Sequence, residues 1–235
     1  MKLNKLMFRE YDIRGIWNED ITEEISYYIG RAYATKLLSL KKNKMIVGYD
    51  NRLSSPIIEK NLVKGLTDGG VDVVRLGLVT TPMYYYAWDK LNIHCGIMIT
   101  ASHNPKEYNG FKMSYNGIHN CFGNEVAELY YIILNGIYSK GNGSITDANI
   151  KEDYIKMINS HINMGSNKLK VIYDCGNGTT SIVAKDIFVS NDNIEYIPLF
   201  AESDGTFPNH HPDPAVESNL TILKEKVKEF LAPFY

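Results

Sequence analysis

Short apolar runs of strand length alternate with longer segments of helical period along this chain. That alternation limits the fold more than any other feature. Met45-Ile46-Val47-Gly48-Tyr49, Val71 to Leu76 and His94 to Thr100 each have the length and apolar character of a buried strand. Between and around them, helical spacing predicts helices over Ile21 to Leu40 with Thr22 as cap, Pro56 to Asp68 closed by Gly69-Gly70, Pro82 to Leu91, and Asn124 to Asn135. The turn signals Tyr108-Asn109-Gly110 and Tyr115-Asn116-Gly117 flank Phe111-Lys112-Met113-Ser114, which reads as a hairpin arm. Such an order of elements points to an α/β layered structure.

A polar, glycine-rich stretch from Ser139 to Thr146 divides the chain. The expected organisation is a first domain over 1–140, a linker over 141–149 and a second domain over 150–235. In the second, Ile150 to Asn163 is helical in pattern, Leu169 to Asp174 is a strand, Ser181 to Val189 a helix, Glu195 to Leu199 a strand, and Leu220 to Phe230 a helix capped by Ser218-Asn219. Two clear strands make a poor independent core, so this domain reads as incomplete and the chain as cut short within it. The missing neighbours predict an exposed sheet edge and self-association through it.

Composition excludes several partners. The 235 residues are 44% hydrophobic and 22% charged, enough to build cores, and the net charge is −2 with no long basic block. Nucleic acid is therefore not expected, and no run is long and apolar enough to span a bilayer, so no membrane partner is expected either. Three cysteines without Cys-x-x-Cys spacing read as reduced thiols of a cytoplasmic protein.

Several polar clusters fall at predicted strand ends, where open α/β sheets bind ligands. Thr100-Ala101-Ser102-His103-Asn104-Pro105 delivers a serine hydroxyl from a strand into a turn-prone loop, either to react or simply to turn the chain. Arg14 beside Gly15 could grip a phosphate or pair with Asp12. Asp50 to Pro56 follows a strand and opens a helix, so it either receives an anion or caps the helix. Lys112 could neutralise a phosphate, act as a base with a lowered pKa, or be a solvated lysine. His103 adjoins Ser102, but adjacent side chains diverge, and no third residue completes a hydrolase triad. His210 and His211 with Asp204 and Asp213 could suggest a metal, yet the nearby prolines fit a rigid loop better. Gly176-Asn177-Gly178 lacks the remainder of a phosphate-loop motif and reads as a tight strand-to-helix turn.

Taken together, these clusters resemble a known family. Phe8-Arg9-Glu10-Tyr11-Asp12-Ile13-Arg14-Gly15, Val47 to Arg52 with Ser54-Ser55-Pro56, Thr80-Thr81-Pro82, Ile99 to Pro105, Tyr108 to Lys112, and Asp204 to Pro214 follow one another as in the α-D-phosphohexomutases, in particular the phosphomannomutase/phosphoglucomutase group. The resemblance implies two consecutive three-layer α/β/α domains with mixed sheets, the second incomplete here. It implies that Ser102 carries a phosphoryl group and exchanges it between C1 and C6 of a hexose phosphate. Hexose 1-phosphate, 6-phosphate and 1,6-bisphosphate are the implied partners. Arg14 and Lys112 match residues near the phosphoserine, Lys112 as general acid/base, with His103 also placed in the catalytic set. Tyr11 and Asn104 match residues that line the phosphate site. A phosphoserine carries about −1.5 to −2 charges, so cations and Mg²⁺ are expected around it, with Ser102 reaching the metal through its phosphate.

One departure is large. The family's Asp-Gly-Asp-Ala-Asp-Arg metal run, expected shortly after Glu229, is absent, and the chain has no Asp-x-Asp-x-Asp cluster. The sugar-reading and phosphate-gripping domains that the resemblance also implies are absent as well. The expectation is a chain with little or no mutase activity by itself, since metal ligation and substrate orientation are both incomplete. A non-catalytic module that binds phosphosugars or a partner chain is the competing reading.

Overall fold

The structure is a computed structural model that describes residues 3–163, 165–166 and 168–231. The chain divides into two compact units, one of residues 1–102 and 107–150, the other of residues 103–106 and 151 onward.

The first unit is built on a six-stranded mixed sheet, with strands β1 (Ile13–Ile16), β2 (Lys44–Tyr49), β3 (Asp72–Leu78), β4 (Gly96–Ile99), β5 (Tyr108–Ser114) and β6 (Ile145–Asp147) in the order β1-β5-β4-β2-β3-β6. The parallel pairs β2–β3 and β2–β4 need crossovers, and the helices α2 (Ser55–Asp68) and α3 (Thr81–Lys90) supply them. β5 runs antiparallel to both β4 and β1. Alternation along these strands sends Ile13, Ile97, Ile99, Phe111 and Met113 into one buried cluster with α1 (Glu23–Ser39), α2 and α4 (Asn124–Asn135). Each fully buried Ile or Leu there contributes about 2 kcal/mol by leaving water. α1 starts where Thr22 accepts a hydrogen bond from the Ile25 amide. Its close approach to α2 depends on glycines: a Cβ on Gly65 would lie 2.1 Å from the Tyr27 carbonyl oxygen.

The second unit has α5 (Lys151–His161), β7 (Leu169–Asp174), α6 (Ala184–Phe188), β8 (Ile194–Leu199) and α7 (Thr221–Leu231). β7 and β8 form a parallel pair in register from Leu169↔Ile194 to Asp174↔Leu199.

Three expectations need correction. The 141–149 segment is not a free linker: Ile145–Asp147 adds β6 to the edge of the first sheet. The Asp72 carboxylate accepts from both the amide and the hydroxyl of Ser144, and Arg75 pairs with Asp147. The helix expected over Ser181 to Val189 is divided into a 3-10 turn, Thr179–Ile182, and α6, because β-branched Ile182 and Val183 disfavour helix where the two meet. Ser218 and Asn219 do not cap α7. They lie in a 3-10 turn, Glu217–Leu220, and the Asn219 amide donates to the Asp213 carbonyl. Among the described residues, no helix is long and apolar enough to cross a membrane.

Candidate active site

β4 ends at Ile99, and the next amide, of Thr100, donates to the Gly110 carbonyl at 3.0 Å. The chain then turns sharply. Ser102 has φ +57°, a left-handed conformation that costs a residue with a Cβ about 1–2 kcal/mol. Two side chains hold its peptide groups. The Ser102 amide donates to Thr100 Oγ1 at 2.9 Å, and Arg52 Nη2 donates to the Ser102 carbonyl at 3.1 Å. The Ser102 side chain is exposed. His103 and Asn104 continue the turn, the first exposed and the second half-buried.

Arg52 is the residue that sequence reasoning passed over. Its run was read as an anion site or a cap, and Ser54, at the cap position, makes no side-chain capping bond. Arg52 instead points inward and is 1% exposed. It donates through Nε to Asp50 at 3.2 Å, through Nη1 to the Tyr108 carbonyl at 3.2 Å, and through Nη2 to Ser102. Burial lowers the guanidinium pKa from its ordinary value, and the Asp50 carboxylate opposes that shift. Asp50 is itself fixed by the Ser55 hydroxyl at 2.7 Å. Buried Asn109 then donates to both Ser54 and Ser55 hydroxyls, at 2.8 and 3.0 Å, and accepts from the Gly110 amide. One connected polar network thus ties the end of β2, the start of α2, the serine loop and β5.

Arg14 and Lys112 reach the same area by strand register. Arg14 on β1 pairs with Gly110 on β5, and Lys112 pairs with Met98 on β4. Because side chains alternate, Arg14 and Lys112 share the face opposite the main core, on the two strands beside the serine loop. Gly110 is where these strands converge, since a Cβ there would lie 2.4 Å from the Ile13 oxygen and 3.1 Å from the Thr100 oxygen. Arg14 pairs with Asp12, which was the plain alternative to a phosphate role. Tyr11, just before β1, is 69% exposed, so its ring is presented outward.

In the second unit, the Pro- and His-rich loop is tied to the turn after β7. His210 Nε2 lies 3.2 Å from both carboxylate oxygens of Asp174, and Nδ1 lies 2.8 Å from the His211 carbonyl oxygen. The Asn209 amide donates to Asn177 Oδ1 at 2.7 Å. These bonds tie the loop to the turn after β7, and Gly176-Asn177-Gly178 forms a tight turn with left-handed Gly176 and Asn177.

Among the described residues, no three His, Cys, Asp or Glu side chains gather as metal ligands. Two carboxylates beside the serine loop are engaged, Asp50 with Arg52 and Ser55, and Asp12 with Arg14, while Glu107 in the loop is a single exposed one. Magnesium takes near-octahedral oxygen coordination with one or two carboxylates. The donor set among the described residues does not fit it.

Comparison with known proteins agrees with this fold. Residues 5–136 match phosphoglucomutase/phosphomannomutase, alpha/beta/alpha domain I, and residues 152–234 match domain II of the same description. A phosphomannomutase/phosphoglucomutase of Pseudomonas syringae pv. tomato is 44% identical over 95% of this chain and 47% of its own length. A phosphoglucomutase of Neisseria meningitidis serogroup B is 39% identical over 94% of this chain and 48% of its own length. A crystal structure of a phosphoglucomutase/phosphomannomutase family protein from Burkholderia thailandensis superposes with a TM-score of 0.91 at 33% identity, covering 97% of this chain and 51% of the other. The chain therefore spans about half the length of the relatives it matches.

Proposed function

We propose that this chain, which belongs to the phosphoglucomutase/phosphomannomutase family, uses Ser102 as a phosphoryl carrier for hexose phosphates in single transfers, with little or no steady-state mutase turnover by itself. The observation that carries the reading is the exposed Ser102 hydroxyl on a turn fixed at both its peptide groups, with Arg14 and Lys112 on one face of the adjoining strands. Phosphoryl transfer asks a protein for positioning and for positive charge more than for a strong nucleophile.

In the forward step, the Oγ–P bond of phosphorylated Ser102 breaks as a hydroxyl oxygen on C1 or C6 of a hexose monophosphate bonds to phosphorus. The attacking hydroxyl gives up its proton and the departing seryl oxygen takes one. Lys112 is the residue assigned to relay it, and Arg14 to balance phosphate charge. The reverse step returns the other phosphate to Ser102. Tyr11, His103 and Asn104 complete the rim of the site in this reading. Magnesium, which the resemblance implies, finds no set of carboxylates among the described residues. The three buried thiols fit a cytoplasmic setting, and the edges of the β7–β8 pair fit self-association.

Incubation with hexose 1,6-bisphosphate followed by intact-mass measurement tests the assignment. A gain of one phosphoryl group by the wild type and none by Ser102→Ala is expected. Binding of the bisphosphate with no mass gain would replace this reading with that of a phosphosugar-binding module.

A further inference from the structure

We infer that Thr100 and Arg52 act as a two-sided clamp, positioning residues that set the backbone of Ser102 and thereby aim its oxygen. The inference rests on Ser102 being the phosphoryl carrier. The fold alone does not require this arrangement. A hydroxyl that accepts from the amide two residues on is a local turn, as Thr100 makes here, but a buried arginine 50 residues away on the carbonyl of the same serine is not local. Here both are taken by side chains, Thr100 Oγ1 at 2.9 Å on the amide and Arg52 Nη2 at 3.1 Å on the carbonyl. The residue so held is in the left-handed region, with φ +57°. Strain of this kind persists only where the surroundings over-determine the backbone.

The two arms differ in kind. Thr100 is buried, directly follows β4, and its own amide is bonded to Gly110, so its hydroxyl is a fixed acceptor. Arg52 is anchored by Asp50 and spends its second terminal nitrogen on the Tyr108 carbonyl. Its planar fork therefore spans both ends of the loop, from Ser102 to Tyr108, a span that a lysine ammonium does not reproduce. A phosphoryl oxygen moved by about 1 Å can cost roughly 10²-fold in rate.

Thr100→Val and Thr100→Ser separate this from a packing role, because both keep a branched or hydroxyl-bearing side chain and only the serine keeps the acceptor. Arg52→Lys tests the other arm. Two readouts are taken on the purified chain. The first is the initial rate of phosphoryl gain from hexose 1,6-bisphosphate across its concentration range. The second is hydrogen exchange of the Ser102 amide by NMR. Thr100→Val is expected to lower the maximal rate roughly 10²-fold, with little change in the half-saturating concentration, and to speed exchange at Ser102. Thr100→Ser should behave as the wild type. Wild-type rates in Thr100→Val and Arg52→Lys would overturn the clamp, as would unchanged exchange at Ser102 in Thr100→Val. If the wild type itself gains no phosphoryl group, the carrier assignment fails, and amide exchange alone still decides whether the clamp exists.

Discussion

Arg52→Met is the perturbation whose cost can be worked most fully from the structure. Methionine keeps much of the apolar stem and removes the guanidinium. What is lost is a buried ion pair with Asp50 and the donors to two main-chain carbonyls, those of Ser102 and Tyr108. Asp50 then stays in a site only 8% exposed, with the Ser55 hydroxyl and the residue 52 amide as its remaining donors here. Removing one partner of a buried pair costs about 3–5 kcal/mol, chiefly through the stranded charge. Spread over a unit of this size, that corresponds to a fall in Tm of about 10 °C. Both tryptophans, Trp17 and Trp88, lie in the first unit, so tryptophan fluorescence in a urea titration reads that unit alone. Asp50→Asn combined with Arg52→Met should recover part of the loss, because the neutral amide no longer strands a charge. A single variant within about 1 kcal/mol of wild type would refute the network as a stabilising element, since that is the range of ordinary substitutions.

Gly110→Ala places a Cβ 2.4 Å from the Ile13 oxygen, so β1 must shift. A loss of about 1–3 kcal/mol in a urea titration, together with slowed phosphoryl gain at Ser102, is expected, and wild-type stability would contradict the close approach. Burial pushes the Cys121 thiol up to about 12 and raises Cys95 and Cys175 above their ordinary value, so little thiolate exists near neutral pH. Labelling by a thiol reagent at mild alkaline pH should be far slower in the native chain than in denaturant, and equal rates would count against it. Burial also raises Glu59, whose Oε1 has no hydrogen-bond partner. A carboxyl raised in the folded state contributes stability below its unfolded pKa and loses it as pH rises through the folded one. Glu59→Gln should therefore raise Tm near neutral pH and gain little in acid, and a variant that is less stable at neutral pH would show that the charge is well compensated.

β2, β3, β4, β7 and β8 were legible because each is a short apolar run closed by turn residues, and β7 occupies the span read for it, Leu169–Asp174. The serine loop stood out for the same reason, as an apolar strand entering a Ser-, Asn- and Pro-rich turn. Arg52 was not legible as a partner of that loop. Its acceptors are main-chain carbonyls 50 and 56 residues further along, and carbonyls leave no trace in side-chain identity. β6 was missed because its three residues are exposed and held by main-chain pairing, which carries no hydrophobic pattern. The broken helix after β7 shows local chemistry overriding spacing, with β-branched side chains interrupting a segment whose apolar period looked continuous. Co-location of Arg14 and Lys112 was implied by the family resemblance alone, since no spacing in the sequence carries it without the register of β1 and β5.

The central claim is that Ser102 passes a phosphoryl group to and from a hexose. It is tested most directly by loading the chain from hexose 1,6-bisphosphate, removing the excess, and adding a hexose monophosphate. The account predicts that the phosphoryl group maps to the Ser102 peptide, leaves it on that addition, and reappears as hexose bisphosphate. A group that maps elsewhere, stays in place, or leaves only as inorganic phosphate would contradict it.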